Sequence, residues 1–221
     1  YRELQLLARQ YYQMTSLLIK AKVDFNAICD QVLPGMQELM NDHAGRHKLS
    51  DFVLRYHHTA HILKMGETRF RKDYCKWAEK KGYRNCERMA VLIFATAQNG
   101  IPVLPNAPST QIVITEAIRV LHTVEASRDA ILTQMQALAK TLPEYSLVRE
   151  MPCIGDTLAP RLIAEIGDVR RFHSKRALIA YAGIDAPPYQ SGKFCANNRH
   201  ISKRGNRYLR KTGYEVMQSY V

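Results

Sequence analysis

Apolar residues recur at alternating steps of three and four along two long stretches of the chain, which is the spacing of a coiled-coil seam. The first stretch begins at Leu4 and ends before Pro34-Gly35, and the second runs from Ile114 to Pro143 with one charged interruption at Arg128. Each stretch predicts a long helix with a narrow apolar stripe. The two helices can pair within one chain as an antiparallel hairpin, or form a coiled coil between subunits, and the pattern does not choose between these arrangements.

The chain as a whole is predicted to be mainly α-helical, with the long coiled-coil helices followed by a small helical domain. Residues 1–143 form the predicted coiled-coil and helical linker region, and residues 144–221 form the predicted C-terminal domain. Within the first region, residues 99–109 contain three prolines, so this segment is predicted to be a linker that is not helical throughout.

Basic and aromatic residues alternate in the helical pattern between the two seams. Such interleaving favours a surface that binds the backbone and stacks on the bases of RNA or single-stranded DNA. A charge-rich helix with a solvated face gives the same pattern. The positions concerned are Arg69, Phe70, Arg71, Lys72, Tyr74, Lys76, Trp77, Lys80, Lys81 and Tyr83.

Residues 147–168 have the pattern of a short helix, a tight hairpin at Pro152–Asp156 and a second helix from about Thr157. This outline predicts a helix-hairpin-helix-like unit, in which hairpin amides and the start of the second helix face a phosphate. Asp156 stands where the usual motif has a second glycine, and its carboxylate would repel a phosphate. A unit that only packs, with Asp156 as the N-cap of the second helix, explains the pattern equally well.

The balance of charge favours a polyanionic partner. The chain has 32 Lys and Arg against 20 Asp and Glu, a formal net charge of +12, which makes nucleic acid the leading partner. We find no apolar run of about 18 residues and no signal-peptide pattern, so a cytoplasmic protein without a membrane partner is expected.

No metal site of recognisable spacing is predicted for this chain. The five cysteines are far apart and include no C-x-x-C pair, so they are expected to be reduced and mostly structural. A helix would place His57 and His61 on one face, as a metal-binding pair requires. Without an acidic or cysteine ligand nearby, a solvated helix is the favoured interpretation.

A serine and a dense group of cations lie close together near the end of the sequence. Residues 184–193 are predicted to form an extended, proline-stiffened loop that presents Ser191 before Gly192. A hydroxyl, neutralising cations and a glycine that lets the backbone approach are parts needed for attack on a phosphodiester, but a base or metal to activate the hydroxyl is missing. The predicted nucleic-acid-binding residues are Lys193, Arg199, Lys203, Arg204, Arg207, Arg210 and Lys211.

Other side chains near this cluster have competing explanations. Ser202 is a second candidate nucleophile, but it precedes a helical run and is better explained as an N-cap. Tyr189 and Tyr208 could stack on bases or act as nucleophiles, although the His and Arg pattern of tyrosine recombinases is not evident. The fifteen residues 197–211 contain no acidic residue, and because solvated faces usually mix both signs, the run favours phosphate binding.

Several spaced motifs beyond residue 145 occur in the order typical of one family. This combination resembles the C-terminal transposase domain of the IS110 insertion-sequence family over roughly residues 145–221, and the preceding region fits that family's layout more loosely. The motifs are Met-Pro-Cys-Ile-Gly at 151–155, Ala-Glu-Ile-Gly-Asp at 164–168, Arg-Phe-His-Ser-Lys-Arg-Ala-Leu-Ile-Ala-Tyr-Ala-Gly-Ile-Asp at 171–185, Gln-Ser-Gly-Lys at 190–193 and Ile-Ser-Lys-Arg-Gly-Asn-Arg-Tyr-Leu-Arg at 201–210.

The resemblance implies a DNA transposase whose nucleophile maps to Ser191. Members of this family are guided by a structured bridge RNA, and they begin with an RNase-H-like domain whose acidic DEDD tetrad binds magnesium. That domain and the serine form a composite site across subunits, so DNA, guide RNA and further copies of the chain, joined through the coiled coil, are the implied partners.

The sequence departs from the family's layout at both ends. The family's acidic domain is expected to be missing before Tyr1, and the chain is expected to stop short of the family's last helices after Val221. We therefore expect the isolated chain to bind nucleic acid without cutting it. A different class of protein, a non-catalytic helix-hairpin-helix module with the coiled coil as a scaffold, is the alternative.

Overall fold

The chain is mainly α-helical, which confirms the predicted fold class. The computed structural model describes residues 1–40, 47–84, 86–186 and 200–220, together with the main chain of the strand residues between them. Within this described part, no helix has both the length and the apolarity needed to cross a membrane. The elements are α1 (Arg2–Val32), α2 (Met36–Leu39), α3 (Lys48–Tyr56), α4 (Thr59–Met65), α5 (Glu67–Lys80), α6 (Cys86–Asn99), α7 (Pro108–Lys140), α8 (Glu144–Arg149), α9 (Leu158–Ile166), a 3-10 turn (Val169–Arg171), α10 (Lys175–Ala182), β1 (Gln190–Ser191), β2 (Phe194–Cys195) and α11 (Arg207–Tyr220).

These elements form two compact units. The terminal unit combines Tyr1–Thr15 with Ala126–Val221, and the central unit comprises Ser16–Glu125. This division differs from the boundary after residue 143 that the sequence pattern predicts, because α1 and α7 each contribute to both units.

The central unit is built around a cluster of buried aromatic side chains. Phe52 lies 4.8 Å from Tyr56 between ring centroids, and Tyr74 lies 5.5 Å from Trp77. Because Phe70, Tyr74 and Trp77 of α5 are buried, their rings are not available to stack on bases. The basic residues of the same helix are largely solvent-facing, so the alternation of basic and aromatic positions in this segment separates a solvated face from a core face.

The apolar stripes of α1 and α7 are covered inside the units. In each unit, a part of α1 and a part of α7 contribute to one apolar cluster. Packing within the chain is one of the two arrangements that the heptad pattern allows, and self-association stays a prediction. The buried stripe residues are Leu4, Leu18, Ala21, Phe25 and Val32 in α1 and Ile114, Leu121 and Met135 in α7.

Two predicted interruptions are confirmed. α1 ends at Val32, and the chain then turns through Gly35, whose φ of 78° is in the left-handed region that favours glycine. The proline-containing segment between α6 and α7 is not helical.

His57 and His61 do not lie in one helix, so the prediction that a helix places them on one face is wrong. His57 follows α3 with a left-handed φ of 32°, whereas His61 lies within α4. His58 is buried and caps α4, because its Nδ1 accepts a hydrogen bond from the amide of Ala60 at 3.0 Å. The left-handed residue breaks the helix that the spacing had suggested.

Candidate nucleic-acid interface

The basic end of the terminal unit is organised by the N-cap of α11, which is Asn206. Its side-chain oxygen accepts hydrogen bonds from the amides of Tyr208 at 2.9 Å and Leu209 at 3.1 Å. The prediction that Ser202 is the N-cap is therefore wrong. Ser202 instead donates from its hydroxyl to Asp185 Oδ1 at 2.5 Å, and this bond holds the two ends of the intervening segment together.

The loop before α11 lies directly against the end of α10. The amide of Lys203 donates to the carbonyl of Gly183 at 3.0 Å, and the amide of Asn206 donates to the carbonyl of Tyr181 at 2.6 Å. A Cβ on Gly205 would lie 2.2 Å from that Tyr181 oxygen and 2.5 Å from the Gly183 nitrogen. Only glycine at position 205 lets the two backbones come this close.

Replacing Gly205 with alanine should therefore destabilise the terminal unit by roughly 2 kcal/mol, because backbone atoms must move to admit the methyl group. Urea unfolding measures this loss. Gly213→Ala is the matched control: Gly213 lies within α11, and a methyl group there would meet no described atom from outside its own helical turns within 4 Å, so alanine should be neutral or stabilising by up to about 1 kcal/mol. Equal stability of the two variants would contradict the close backbone packing.

A buried carboxylate connects this loop to α1 and α9. Glu165 of α9, 2% exposed, accepts hydrogen bonds from Asn206 Nδ2 at 2.6 Å, from Arg9 Nε at 3.2 Å and from Gln5 Nε2 at 3.2 Å. The hydrogen bond to Glu165 raises the pKa of the Arg9 guanidinium above its ordinary value, against the opposite effect of burial. Glu165 thereby holds the N-cap residue of α11 and the start of α1 in one arrangement.

Four of the predicted cations lie around this loop and at the start of α11, with their charge accessible to solvent: Lys203, Arg204, Arg207 and Lys211. Within the described residues, no carboxylate oxygen lies within 4.0 Å of the first three, whereas Lys211 Nζ lies 3.9 Å from Glu215 Oε1. Their positive charge is thus largely free to meet a polyanion.

Of the other predicted cations, Arg210 is only partly solvent-exposed, and two lie outside the described residues. Arg210 is half-buried, and its Nη1 donates to the carbonyl of Ala182 at 2.9 Å, which satisfies an acceptor at the end of α10. Lys193 and Arg199 lie outside the described residues, as does Tyr189, the alternative stacking residue or nucleophile.

Ser191 is described by its main chain only. It belongs to β1, which pairs antiparallel with β2 so that Ser191 is opposite Phe194 and Gln190 is opposite Cys195. The sequence predicted an extended loop here, and these four residues form a short two-stranded pairing.

The sequence did not indicate that the start of α1 contributes to the basic surface. The Tyr208 ring lies 5.1 Å from the Arg9 guanidinium carbon and 5.4 Å, edge to face, from the Tyr12 ring. Lys211 Nζ lies 4.0 Å from the centre of that Tyr12 ring. No local signal in the sequence pairs Arg9 and Tyr12 with residues near position 208, so only the folded arrangement identifies them.

The hairpin between α8 and α9 is held by its own acidic residue. Asp156 Oδ1 accepts from Arg149 Nε at 2.9 Å and from Tyr145 Oη at 3.0 Å. Thr157 occupies the N-cap position of α9 without a side-chain hydrogen bond, so the interpretation of Asp156 as that cap is wrong. Contact of this hairpin with a phosphate stays a prediction.

Comparison with known proteins places this basic surface in a recognised domain. The model of a family described as "Transposase IS116/IS110/IS902 family" matches residues 145–221, which include β1, β2 and α11. Residues 145–221 are thus similar to the proteins of this transposase family. The resemblance predicted from the motifs is confirmed, and the transposase domain therefore contains both Ser191 and the exposed cations.

Two relatives extend the comparison beyond the transposase domain. The "Insertion element IS110 uncharacterized 43.6 kDa protein" of Streptomyces coelicolor is 25% identical over 181 residues, which cover 82% of this chain and 44% of that protein. The "Transposase for insertion sequence element IS1111A" of Coxiella burnetii is 33% identical over 81 residues, covering 35% of this chain and 21% of that protein. The chain thus spans less than half the length of these curated relatives.

Proposed function

We propose that this chain takes part in DNA transposition: it binds DNA and supplies Ser191 as the nucleophile of strand exchange, with a structured guide RNA as a second partner. The observation that carries the proposal is the transposase-family domain over residues 145–221, which contains Ser191 together with the exposed cations at the start of α11. The alternative of a non-catalytic helix-hairpin-helix module has no comparable support from the family match.

The proposed reaction conserves the energy of the phosphodiester. The Ser191 oxygen forms a bond to a DNA phosphorus while a phosphorus–oxygen bond of the DNA breaks, and the released deoxyribose oxygen takes up the proton that the serine loses. Attack by a deoxyribose hydroxyl on the phosphoserine then reverses these changes on a new strand. Cations such as Arg204 would balance the charge that builds on the phosphate oxygens.

Magnesium is proposed as a cofactor of the whole recombinase. Among the described residues, no group of three or more His, Cys, Asp or Glu side chains is placed to hold a metal ion. The roles proposed for this chain are those of its own side chains, as nucleophile and as neutralising cations.

Binding of DNA by this surface should depend steeply on salt, because contacts to phosphates release condensed counterions. Replacing both Arg204 and Arg207 with glutamine should lower the affinity and make the plot of log affinity against log salt shallower by about two. Fluorescence anisotropy of a labelled DNA duplex across a salt series measures both quantities.

The matched control removes two exposed lysines from the central unit. Lys20→Gln with Lys22→Gln deletes the same charge on the exposed side of α1 and should change the slope much less. Equal slopes of log affinity against log salt for the two double variants would show that Arg204 and Arg207 do not make the DNA contacts. A wild-type slope near zero would contradict binding through phosphates altogether.

A further inference from the structure

An open pocket of about 470 Å³ lies in the terminal unit, where the start of α1 faces the loop before α11. Most of its lining belongs to the transposase domain, but Arg9 comes from α1, outside the residues that the family model matches. Its cations and rings include Arg9, Tyr181, Arg204, Arg207 and Tyr208.

Arg9 is held in place although its side chain is 46% exposed. Its Nε and Nη2 donate to the two oxygens of Glu165 at 3.2 and 3.4 Å, and its guanidinium carbon lies 5.1 Å from the centre of the Tyr208 ring. Because these bonds already order the side chain, a ligand that contacts it loses little additional conformational entropy.

A second guanidinium group, that of Arg207, also contacts Tyr208. The Arg207 guanidinium carbon lies 4.8 Å from the ring centre, and Arg207 Nη2 donates to the Tyr208 hydroxyl at 2.8 Å. That hydrogen bond raises the pKa of Arg207 above its ordinary value. Like any arginine side chain, the group is charged at physiological pH. The ring of Tyr12 meets Tyr208 edge-on, with an interplanar angle of 86°.

Rings and guanidinium planes in contact are a surface on which nucleobases stack, and guanidinium groups also bind phosphate. We propose that this pocket binds an unpaired nucleotide, whose base stacks on the Tyr208–arginine group and whose phosphate contacts Arg204 or Arg207. A duplex keeps its bases stacked inside and offers only phosphates, so the aromatic part of the pocket would serve a single-stranded segment.

This inference rests on the proposed function, because it assumes that the domain binds nucleic acid. It adds that Arg9, outside the matched family domain, completes the site, and that unpaired and paired strands are bound differently. The unpaired nucleotide can belong to DNA or to RNA, since both offer the same base and phosphate.

The test removes the ring but keeps every charge. Tyr208→Leu should lower the affinity for a short single-stranded DNA oligonucleotide roughly tenfold, because one stacked base is lost. Its affinity for a duplex of the same sequence should stay within about twofold, since phosphate contacts dominate there. Tyr208→Phe should keep both affinities near those of the wild type, and Tyr214→Leu, which removes an exposed tyrosine elsewhere on α11, should change neither.

Photocrosslinking of the unaltered chain to an oligonucleotide containing 5-iodouracil gives a test that does not depend on a variant's folding. The crosslink should map to Tyr208 or Tyr181, and adducts confined to other regions would overturn the proposal. Equal losses for single strand and duplex in Tyr208→Leu would also overturn it while leaving nucleic-acid binding intact. If the wild-type chain binds neither form, the proposed function itself fails.

An RNA strand of the same sequence distinguishes the source of the nucleotide. A comparable loss on Tyr208→Leu for the RNA strand would show that the pocket accepts a nucleotide from either source, and a loss confined to DNA would assign the pocket to a DNA strand. An affinity for both strands that is unaffected by Tyr208→Leu would overturn the proposal.

Discussion

Replacing Ser191, the proposed nucleophile, with alanine should reduce strand exchange by the proposed guide-RNA-dependent recombinase roughly 10⁴-fold or more, because no other group can take over a lost nucleophile efficiently. Binding of DNA should change by less than about twofold, since one hydroxyl adds little to a surface dominated by arginine and lysine. Recombination between donor and target DNA measures the first quantity, and anisotropy measures the second.

Ser202→Ala is the control for this experiment. Ser202 belongs to the same domain, but its hydroxyl is bonded to Asp185, so its loss should cost about 1 kcal/mol of stability and leave strand exchange active. Trapping of a protein-linked DNA end should place the adduct on Ser191. Recombination by Ser191→Ala, or an adduct on Ser202 or a tyrosine, would show that the assignment is wrong.

The second large effect is expected at Glu165. Glu165→Ala should lower the free energy of unfolding by about 3 kcal/mol, because the side-chain amide of Asn206 and the ordered Arg9 both lose their acceptor in a site that water does not reach freely. Urea unfolding followed by circular dichroism measures the loss, and nucleic-acid binding should weaken with it as the N-cap of α11 loosens.

Glu150→Ala is the control that tests whether the effect of Glu165→Ala comes from its buried hydrogen bonds or from the change in net charge. Glu150 is an exposed carboxylate of the same unit, and its removal alters the net charge equally. Its effect on stability should stay within about 0.5 kcal/mol. A comparable loss in the two variants would mean that net charge, and not the buried hydrogen bonds of Glu165, determines the stability.

Local patterns in the sequence were sufficient to predict many helix boundaries. The first apolar stripe was predicted to end before Pro34-Gly35, and α1 ends at Val32, just before Gly35 with its left-handed φ of 78°. Such signals involve neighbours in the chain, so they can be interpreted without knowing the fold.

Two predictions failed because distant residues determine the outcome. Ser202 and Asn206 are both good N-cap residues, and the choice between them depends on Asp185, seventeen positions earlier, which engages Ser202. Similarly, Arg9 joins the basic surface only because Glu165 binds it across 156 positions. Periodicity and composition contain no information on such distant pairs, which explains why the cations of α11 were predicted and the contribution of α1 was not.

Because α1 and α7 each contribute residues to both units, the two units cannot be completed in the order in which the chain is synthesised. The whole central unit is synthesised before α9 and α11. The hydrogen bond between Gln5 and Glu165 in the terminal unit can form only after Glu165, 160 positions later, has been synthesised. Until then, the apolar cluster around Leu4 and Ala8 lacks Ile163 and Ala164 of α9 and contains only its α7 part, so some of its apolar surface is exposed to aggregation or to chaperones. A chain terminated before α11 would therefore lack the basic surface at the start of that helix, so synthesis of α11 sets the earliest time at which the proposed nucleic-acid interface can form.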